Sequence, residues 1–368
     1  MTARHLYIHV PFCARRCSYC DFAIAVRSVV PVSEYLDALE KELLSLPAAN
    51  LGGILDTVYL GGGTPSRLGP EGIRDLLSLV RRHFTIADNA EVTIEVNPDD
   101  VRPDAPAAWI AAGVNRASVG VQSFDDSVLA WMHRTHDSSQ AHAAVAALRD
   151  AGFTNISVDL IFALPDSLGR SWRSDLTQAL ALQPDHISLY GLTIEPHTPI
   201  ARWEANRSLV PASEERYAED FLLAHEMAAD AGFVHYEVSN FERGGKRSRH
   251  NSVYWSGAPY LGVGPSAHSF DGYTRSWNVP QYAEWIERLS SGESVIQDSE
   301  RLTPENQRSE RVYLGLRTMT GLAATGKDLD KARTWNGEGW ADIEGDVVRL
   351  TPEGWLRLDS LATGLTGL

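Results

Sequence analysis

The sequence predicts an α/β protein with a parallel sheet, followed by a small C-terminal α/β module. Six short apolar runs alternate with amphipathic segments between residues 5 and 190. This alternation is typical of successive βα units. A glycine also directly follows three helical patterns, at Gly113, Gly152 and Gly232. Glycine adopts the left-handed conformation that ends a helix without steric cost, so each of these glycines indicates a passage from helix to strand.

The apolar runs and the amphipathic segments give the elements in order. The predicted strands are 5–10, 56–60, 91–96, 116–121, 155–161 and 185–190. The predicted helices between them are 33–46, 70–84, 104–112, 138–151 and 171–183. On the first helix, Glu40, Lys41 and Glu42 are expected to face away from the apolar stripe. A partial or complete βα barrel and an open doubly wound sheet both satisfy this pattern, and in each the active site lies at the carboxyl ends of the strands.

The second half of the chain has a weaker pattern. A long helix is predicted at 213–231, and a stretch rich in glycine and aromatic residues follows at 235–285. Thr303 and Pro304 are typical of a helix N-cap and first turn, and 347–358 predicts a strand, a turn and a closing helix. We therefore predict three parts: a core at 1–235, a connecting segment at 236–299, and a winged-helix-like C-terminal module at 300–368.

Charge and composition argue against several classes of protein. The 368 residues include 33 Lys+Arg and 48 Asp+Glu, a formal net charge of −15. A general nucleic-acid binder needs basic surface, so we expect no nucleic-acid partner. No apolar run approaches the roughly 20 residues that cross a bilayer, and the N-terminus lacks the apolar region of a signal peptide. We expect a soluble cytoplasmic protein with no transmembrane segment.

Three cysteines follow the first predicted strand in a Cys-x3-Cys-x2-Cys arrangement, at Cys13, Cys17 and Cys20. An odd, clustered set argues against a disulfide framework and favours metal binding. Three thiolates can hold three irons of a [4Fe–4S] cluster and leave the fourth iron open to a ligand. The alternatives are a zinc site with His5 or His9 as fourth ligand, and three unrelated buried cysteines.

Further polar groups occur where predicted strands end. Gly61-Gly62-Gly63-Thr64-Pro65 follows the second strand, and no lysine follows it, which excludes a phosphate-binding P-loop. Glu95, Gln122 and Asp159 each lie at or just after a strand end, and Arg134 follows a short helical segment. Each residue alone is compatible with a purely structural role. Their shared position at the ends of parallel strands predicts that they meet in one cleft.

The segment His250-Asn251-Ser252-Val253-Tyr254-Trp255 is a second candidate site. A histidine beside two aromatic residues could serve as a haem ligand with stacking partners. An ordinary loop with a partly buried aromatic pair explains the same residues, and their types alone do not decide between the two.

Together these motifs resemble the radical S-adenosylmethionine superfamily. The resemblance is carried by YIHVPFCARRCSYCDF (7–22), GGGTPS (61–66), EVNP (95–98), GVQSF (120–124) and VDLIFALP (158–165). Three later motifs extend it into the coproporphyrinogen-dehydrogenase-like branch: HYEVSNF (235–241), HNSVYW (250–255) and VGPSAHS (263–269).

The resemblance implies a partial (β/α)6 barrel with two cofactors. It places a [4Fe–4S] cluster on Cys13, Cys17 and Cys20, with S-adenosylmethionine at the open iron. Its pattern also implies which residues surround the cofactor, namely Tyr7, Gly62, Gly63, Thr64, Glu95, Gln122, Arg134 and Asp159. A guanidinium such as that of Arg134 suits the carboxylate of the methionine moiety, and acidic groups suit ribose hydroxyls.

Within that branch, two groups are similar to this chain: the oxygen-independent coproporphyrinogen III oxidases and the HemW haem chaperones. The oxidases carry another cysteine where this chain has Phe22, and an extension before the residue that corresponds to Tyr7. The chaperones share the His-Asn-x-x-Tyr-Trp element. The resemblance therefore favours a haem chaperone, and we do not expect coproporphyrinogen dehydrogenase activity.

The chaperone resemblance implies a third cofactor and protein partners. Haem would bind at His250, with Tyr254 and Trp255 beside it, and pass to acceptor haem proteins, respiratory and membrane-associated ones among them. A homodimer is compatible with the resemblance. The chain departs from the usual pattern at three positions where members of the superfamily commonly have glycine, namely Ala163, Asp166 and Ser266.

Overall fold

Strands and helices alternate through the first half of the molecule, in a computed structural model that describes residues 3–47 and 51–367. Strands β1 to β8 are His5–Val10, Phe12–Cys13, Ala25–Val26, Ile54–Gly62, Thr85–Val96, Arg116–Gln122, Ile156–Phe162 and His186–Gly191. Helices α1 to α8 are Val32–Ser45, Gly69–His83, Ala105–Ala112, Asp126–Trp131, Ser138–Ala151, Trp172–Ala181, Pro199–Ala205 and Glu214–Asp230.

The second half has shorter strands. Strands β9 to β17 are Val234–Glu237, Asn240–Glu242, Leu261–Val263, His268–Phe270, Thr274–Asn278, Ile296–Arg301, Leu322–Ala323, Ala341–Glu344 and Val347–Leu350. Helices α9 to α14 are Arg249–Ser256, Tyr282–Ser291, Pro304–Arg317, Lys327–Gly337, Pro352–Trp355 and Leu358–Thr366.

One nine-stranded sheet forms the centre, in the order β11-β1-β4-β5-β6-β7-β8-β10-β9. Six neighbouring strands of this sheet are parallel and correspond to the six predicted strands, namely β1, β4, β5, β6, β7 and β8. The short β11 adds a parallel strand beside β1, and β10 and β9 continue antiparallel from β8. The α/β class is therefore confirmed, with the strand order of a partial barrel of six βα units.

Strands β4 and β5 are longer than the sequence predicts. β5 begins at Thr85, and its first two residues pair with the beginning of β4, ahead of a register shift between Leu55 and Thr57. The segment Asp88-Asn89 lies within this stretch and is mostly exposed. Aspartate and asparagine are depleted in strands, which is why residue pattern alone excluded this part.

Glu42 of α1 is buried, and the prediction that it faces away from the apolar stripe is wrong. Only 2% of the residue is exposed. Its carboxylate accepts hydrogen bonds from the backbone N–H of Gly264 (2.9 Å), Asn278 Nδ2 (2.7 Å) and Trp285 Nε1 (2.9 Å). These partners belong to the second half of the chain, so Glu42 joins α1 to α10 and to the neighbourhood of β11.

The inner face of the parallel strands is unusually polar. Its buried side chains include Thr57, Glu91, Thr93, Arg116, Ser118, Ser157, His186 and Ser188. The apolar core lies on the opposite face, between the sheet and helices such as α1, α2 and α5. A barrel interior that is filled with polar groups can hold a polar ligand at the strand ends.

The last part of the chain is a three-stranded antiparallel sheet with helices around it. Its strand order is β15-β17-β16, and α11 packs against α14. The predicted domain limits fall inside strands, at 235 in β9 and between 299 and 300 in β14, and the division into three parts stays a prediction. Within the described residues, no helix is both long and apolar enough to cross a membrane.

Candidate functional site

A cavity of about 450 Å³ opens at the carboxyl ends of the parallel strands. Ten of the predicted site residues line it: Cys13, Cys17, Cys20, Gly62, Gly63, Thr64, Glu95, Gln122, Arg134 and Asp159. Four others do not line it, namely Tyr7, His250, Tyr254 and Trp255. The structure therefore brings the predicted cluster ligands and most of the predicted cofactor residues into one cleft.

The three cysteines are free, half-buried thiols on one side of this cavity. Cys13 Sγ lies 3.4 Å from Thr64 Oγ1, and Arg134 Nη1 donates to Cys17 Sγ at 3.5 Å. Burial raises the pKa of the Cys13 thiol, and it raises the pKa of Cys20 to about 12. Thiols in this setting become thiolates readily only when a positive centre compensates for the lost hydration, as iron does.

The zinc alternative needs an imidazole beside these thiols. His9 is buried, with Nδ1 3.1 Å from the Tyr7 hydroxyl and Nε2 2.9 Å from the Ala23 carbonyl. His5 Nδ1 lies 3.0 Å from Thr57 Oγ1. Neither histidine lines the cavity, and in the described residues no three His, Cys, Asp or Glu side chains converge on a single-ion position. A cluster suits this arrangement better, because each of its irons takes its own thiolate.

The glycines at the end of β4 allow the strand ends to pack closely. A Cβ on Gly62 would lie 2.6 Å from the His9 ring, and one on Gly63 would lie 2.7 Å from the Pro11 backbone. Gly62 also has φ +108°, where L side chains are strained. The Gly62 N–H donates to Glu95 Oε2 at 3.1 Å. These glycines serve contacts within the protein, and their backbone forms part of the cavity wall.

Glu95 and Asp159 place two carboxyl groups deep in the cavity. Glu95 accepts hydrogen bonds from the Tyr59 hydroxyl (2.9 Å) and Gly62, and burial raises its pKa to about 7. Asp159 accepts from Ser118 Oγ (2.9 Å) and Ser157 Oγ (3.0 Å), and burial raises its pKa as well. Both groups are held in position and can accept hydrogen bonds from the hydroxyls of a ligand.

Arg134 lies between the cysteines and the strand ends. Its Nη2 donates to Asn97 Oδ1 (2.7 Å) and to the Gly120 carbonyl (2.8 Å). Its buried Nε has no hydrogen-bond partner. Gln122 has φ +67°, at an irregularity between β6 and β7. An unpartnered buried donor and a strained backbone position both indicate a place prepared for a ligand.

His250 lies near the amino ends of the strands and is fully buried. Its Nδ1 is 2.7 Å from Thr57 Oγ1, and its Nε2 is 2.9 Å from the Tyr254 hydroxyl. The ring stacks on Tyr59 at a centroid distance of 5.1 Å. Burial lowers the pKa of His250 to about 3, so it is neutral near pH 7. Both ring nitrogens are engaged within the protein in this structure.

Comparison with known proteins decides the family. The family model described as "Radical SAM superfamily" matches residues 7–171. A protein named "Heme chaperone HemW" from Mycobacterium tuberculosis is 37% identical over 98% of this chain and 94% of its own length. Another of that name, from Bacillus subtilis, is 35% identical over 86% of this chain and 84% of its own length.

The chain belongs to the HemW family. Its backbone also resembles a solved structure described as coproporphyrinogen III oxidase (HemN) from Escherichia coli, with a TM-score of 0.82 and 22% identity over 99% of this chain and 90% of that one. That similarity confirms the fold, and the HemW relatives confirm the preference for the chaperone group.

Five further residues of this HemW-family chain line the cavity and were missed by sequence reasoning. Tyr59, Asn97, Ser118, Ser188 and Tyr190 all line the cavity. Each lies in a parallel strand or directly after one. The alternation of inward and outward side chains along β4, β6 and β8 could have found Tyr59, Ser118, Ser188 and Tyr190. Asn97 follows Glu95 by two residues and would have been found by the same alternation.

Proposed function

We propose that this HemW-family chain is a haem chaperone, which binds haem and transfers it to acceptor haem proteins. It would carry a [4Fe–4S] cluster on Cys13, Cys17 and Cys20, with S-adenosylmethionine at the open iron. One observation carries the proposal: three half-buried thiols share a cavity with two half-buried carboxyl groups and the partly unpartnered Arg134, in a relative of proteins named as haem chaperones.

The protein's part in cofactor binding follows from the positions of these groups. Arg134 Nε can donate to the carboxylate of the methionine moiety. Glu95 and Asp159 can accept hydrogen bonds from ribose hydroxyls. When bound, the cluster and S-adenosylmethionine supply one-electron chemistry. Thr64, at 3.4 Å from Cys13 Sγ, can donate a hydrogen bond to the sulfur and stabilise its ionised form.

Haem would bind next to the His250-to-Trp255 motif. Tyr254 and Trp255 line a second groove and offer it aromatic surface. His250 would become an iron ligand only if it released Thr57 or Tyr254, so in the present arrangement it supports the Tyr254 side chain. The proposal places the protein in the cytoplasm, with membrane-associated respiratory haem proteins among the acceptors.

The test uses full-length protein with its cluster reconstituted under anaerobic conditions. We expect about four irons and four sulfides per chain, haem bound in a defined ratio, and transfer of that haem to an apo-haem protein. The same preparation is given coproporphyrinogen III, S-adenosylmethionine and a reductant. Decarboxylated porphyrin at many turnovers per chain would show an oxidase instead. One zinc and no sulfide would overturn the cluster assignment.

A further inference from the structure

We propose that the haem-class ligand occupies a groove between α9 and α11, where it is held by its faces and by one carboxylate. This inference rests on the proposed function and gives the binding site of its ligand. The groove has a volume of about 480 Å³, within the range of about 300–1,000 Å³ that is usual for small-molecule sites. Its walls come from residues 254–275 on one side and from α11 on the other.

Aromatic side chains form most of the groove. Tyr254, Trp255, Tyr260, Phe270 and Tyr313 line it. Tyr254 and Tyr260 meet edge to face at 4.7 Å between ring centroids. All of these residues except Phe270 are half-buried. A soluble protein rarely leaves a concave aromatic surface open unless a ligand covers it. A flat, largely apolar ring system is the class of ligand that such walls stack against.

Arg275 gives the groove one cationic group. Its Nη2 donates to Glu310 Oε1 at 3.0 Å, and about a third of its side chain is exposed. A guanidinium has five N–H donors, so donors remain for a ligand carboxylate. Glu310 repels a second carboxylate nearby and holds the guanidinium in place. The ligand would therefore carry at least one carboxylate at the edge of its ring, as haem does in its propionates.

The groove also explains what His250 does. Tyr254 is one wall, and its hydroxyl is 2.9 Å from His250 Nε2 on the side away from solvent. The described residues that line the groove include no histidine, cysteine or methionine. Burial raises the pKa of each of its three tyrosines, which keeps them as neutral phenols that ligate iron poorly. Binding through ring faces and a carboxylate does not require iron. This mode suits a carrier that must release its haem, because no strong axial bond has to break.

The first test compares haem with iron-free protoporphyrin IX on the full-length, cluster-loaded protein. We expect the two dissociation constants to agree within about threefold, since little of the binding energy comes from iron. Replacement of His250 by Gln should weaken both ligands by the same factor, through the loss of Tyr254 positioning. Loss of haem binding alone, with protoporphyrin binding unchanged, would assign His250 as an iron ligand and overturn this mode.

The second test fills the groove from each wall. Ala258→Trp and Ser309→Trp introduce bulk on opposite sides, and Ser290→Trp on the exposed face of α10 is the matched control. We expect both filling variants to weaken protoporphyrin IX binding more than tenfold, with cluster content and S-adenosylmethionine binding unchanged, and the control to stay within about twofold. If both filled variants bind normally, the ligand lies elsewhere.

The third test examines Arg275 by modifying the carboxylates of the ligand. Esterification of both propionates should weaken binding to the wild type about tenfold and should have no further effect on Arg275→Met. An equal effect on both proteins would remove Arg275 from the site. These failures are distinct from failure of the proposed function, which would appear as a wild-type protein that binds neither haem nor protoporphyrin.

Discussion

Ala163 and Ser266 are among the residues that adopt a backbone conformation suited to glycine. Ala163 follows β7 with φ +54°, and Ser266 follows β11 with φ +61°. Members of the superfamily commonly have glycine at both positions. A side chain in the left-handed region costs roughly 1–2 kcal/mol. The surrounding structure keeps Ala163 in place, since its N–H donates to Asp220 Oδ2 at 3.1 Å.

Replacement of Ala163 by glycine should therefore stabilise the protein by about 0.5–1 kcal/mol, because relief of strain exceeds the added entropy of the unfolded chain. The measurement is the free energy of unfolding in urea. Ala146→Gly, at an exposed position in the middle of α5, is the matched control and should destabilise by about 0.5–1 kcal/mol. Equal destabilisation by the two substitutions would contradict the assignment of strain.

Arg116 carries a buried charge with few hydrogen-bond partners. The residue is 1% exposed, and its Nε and Nη1 have no hydrogen-bond partner. Its charge lowers the pKa values of His250 and His186, after the larger effect of burial. Arg116 also opposes the rise in the pKa of Glu95 that burial causes.

We expect Arg116→Met to fold with unchanged or higher stability, since two buried guanidinium nitrogens without hydrogen-bond partners are costly and an apolar side chain of similar size is not. The pKa of Glu95 should rise further, so that S-adenosylmethionine binding near pH 7 weakens and recovers at higher pH. Binding measured across pH 6–9 checks this. An identical pH profile for wild type and variant would show that Arg116 does not act on the site.

At the scale of elements, α1 is attached to the second half of the chain through one ionisable group. Burial raises the pKa of Glu42 to about 7, above its value in the unfolded chain. The folded state therefore binds a proton that the unfolded state releases. Such a group contributes a loss of stability as the pH rises from about 4.5 to about 7, and the loss is complete above that range.

Glu42→Gln should remove this pH dependence. The difference in unfolding free energy between wild type and variant is expected to change by on the order of 3 kcal/mol between pH 4.5 and pH 8. The variant also loses hydrogen bonds, because the three partners of Glu42 are all donors and an amide nitrogen cannot accept from them. Asp37→Asn, at an exposed position of α1, is the control and should leave the pH dependence unchanged. A parallel pH dependence in wild type and Glu42→Gln would show that Glu42 does not titrate in this range.

At the scale of the whole molecule, local patterns in the sequence sufficed to predict the parallel strands and most of the candidate residues that line the cavity. Apolar runs, glycine caps and polar residues at strand ends are all signals within a few residues. Glu42 could not be placed in this way, because its burial depends on Asn278 and Trp285, more than 200 residues further along the chain. The three residues of β11 have no periodicity of their own and are fixed by pairing with β1.

Sequence reasoning found only part of the second candidate site, for the same reason. Tyr254 and Trp255 were identified as candidates, but the groove also needs Arg275 and Tyr313 from distant segments. The prediction that His250 ligates haem came from the resemblance to the chaperone group. The burial of His250 between Thr57 and Tyr254 depends on the packing of α9 against β4. That assignment stays a prediction until haem and iron-free porphyrin are compared.

Helix α9 touches both sites. Asn251 lines the cofactor cavity, Tyr254 lines the groove, and His250 lies between them with its ring stacked on Tyr59. Tyr59 in turn donates to Glu95.

In Tyr59→Phe the hydrogen bond to Glu95 is lost, while the ring that stacks on His250 remains. We expect S-adenosylmethionine to change the dissociation constant of haem in the wild type, and to change it less in Tyr59→Phe. Haem titrations with and without S-adenosylmethionine measure this. A wild-type haem affinity that does not respond to S-adenosylmethionine would contradict it.

A single helix shared by two binding sites has a thermodynamic consequence. If S-adenosylmethionine alters the affinity for haem by some factor, haem must alter the affinity for S-adenosylmethionine by the same factor. The pair then forms a reciprocal switch that needs no movement of a domain, since a small displacement of α9 reaches both ligands. Haem release could be timed by the arrival or departure of a second small molecule, and the level of that molecule would determine when the chaperone delivers its haem.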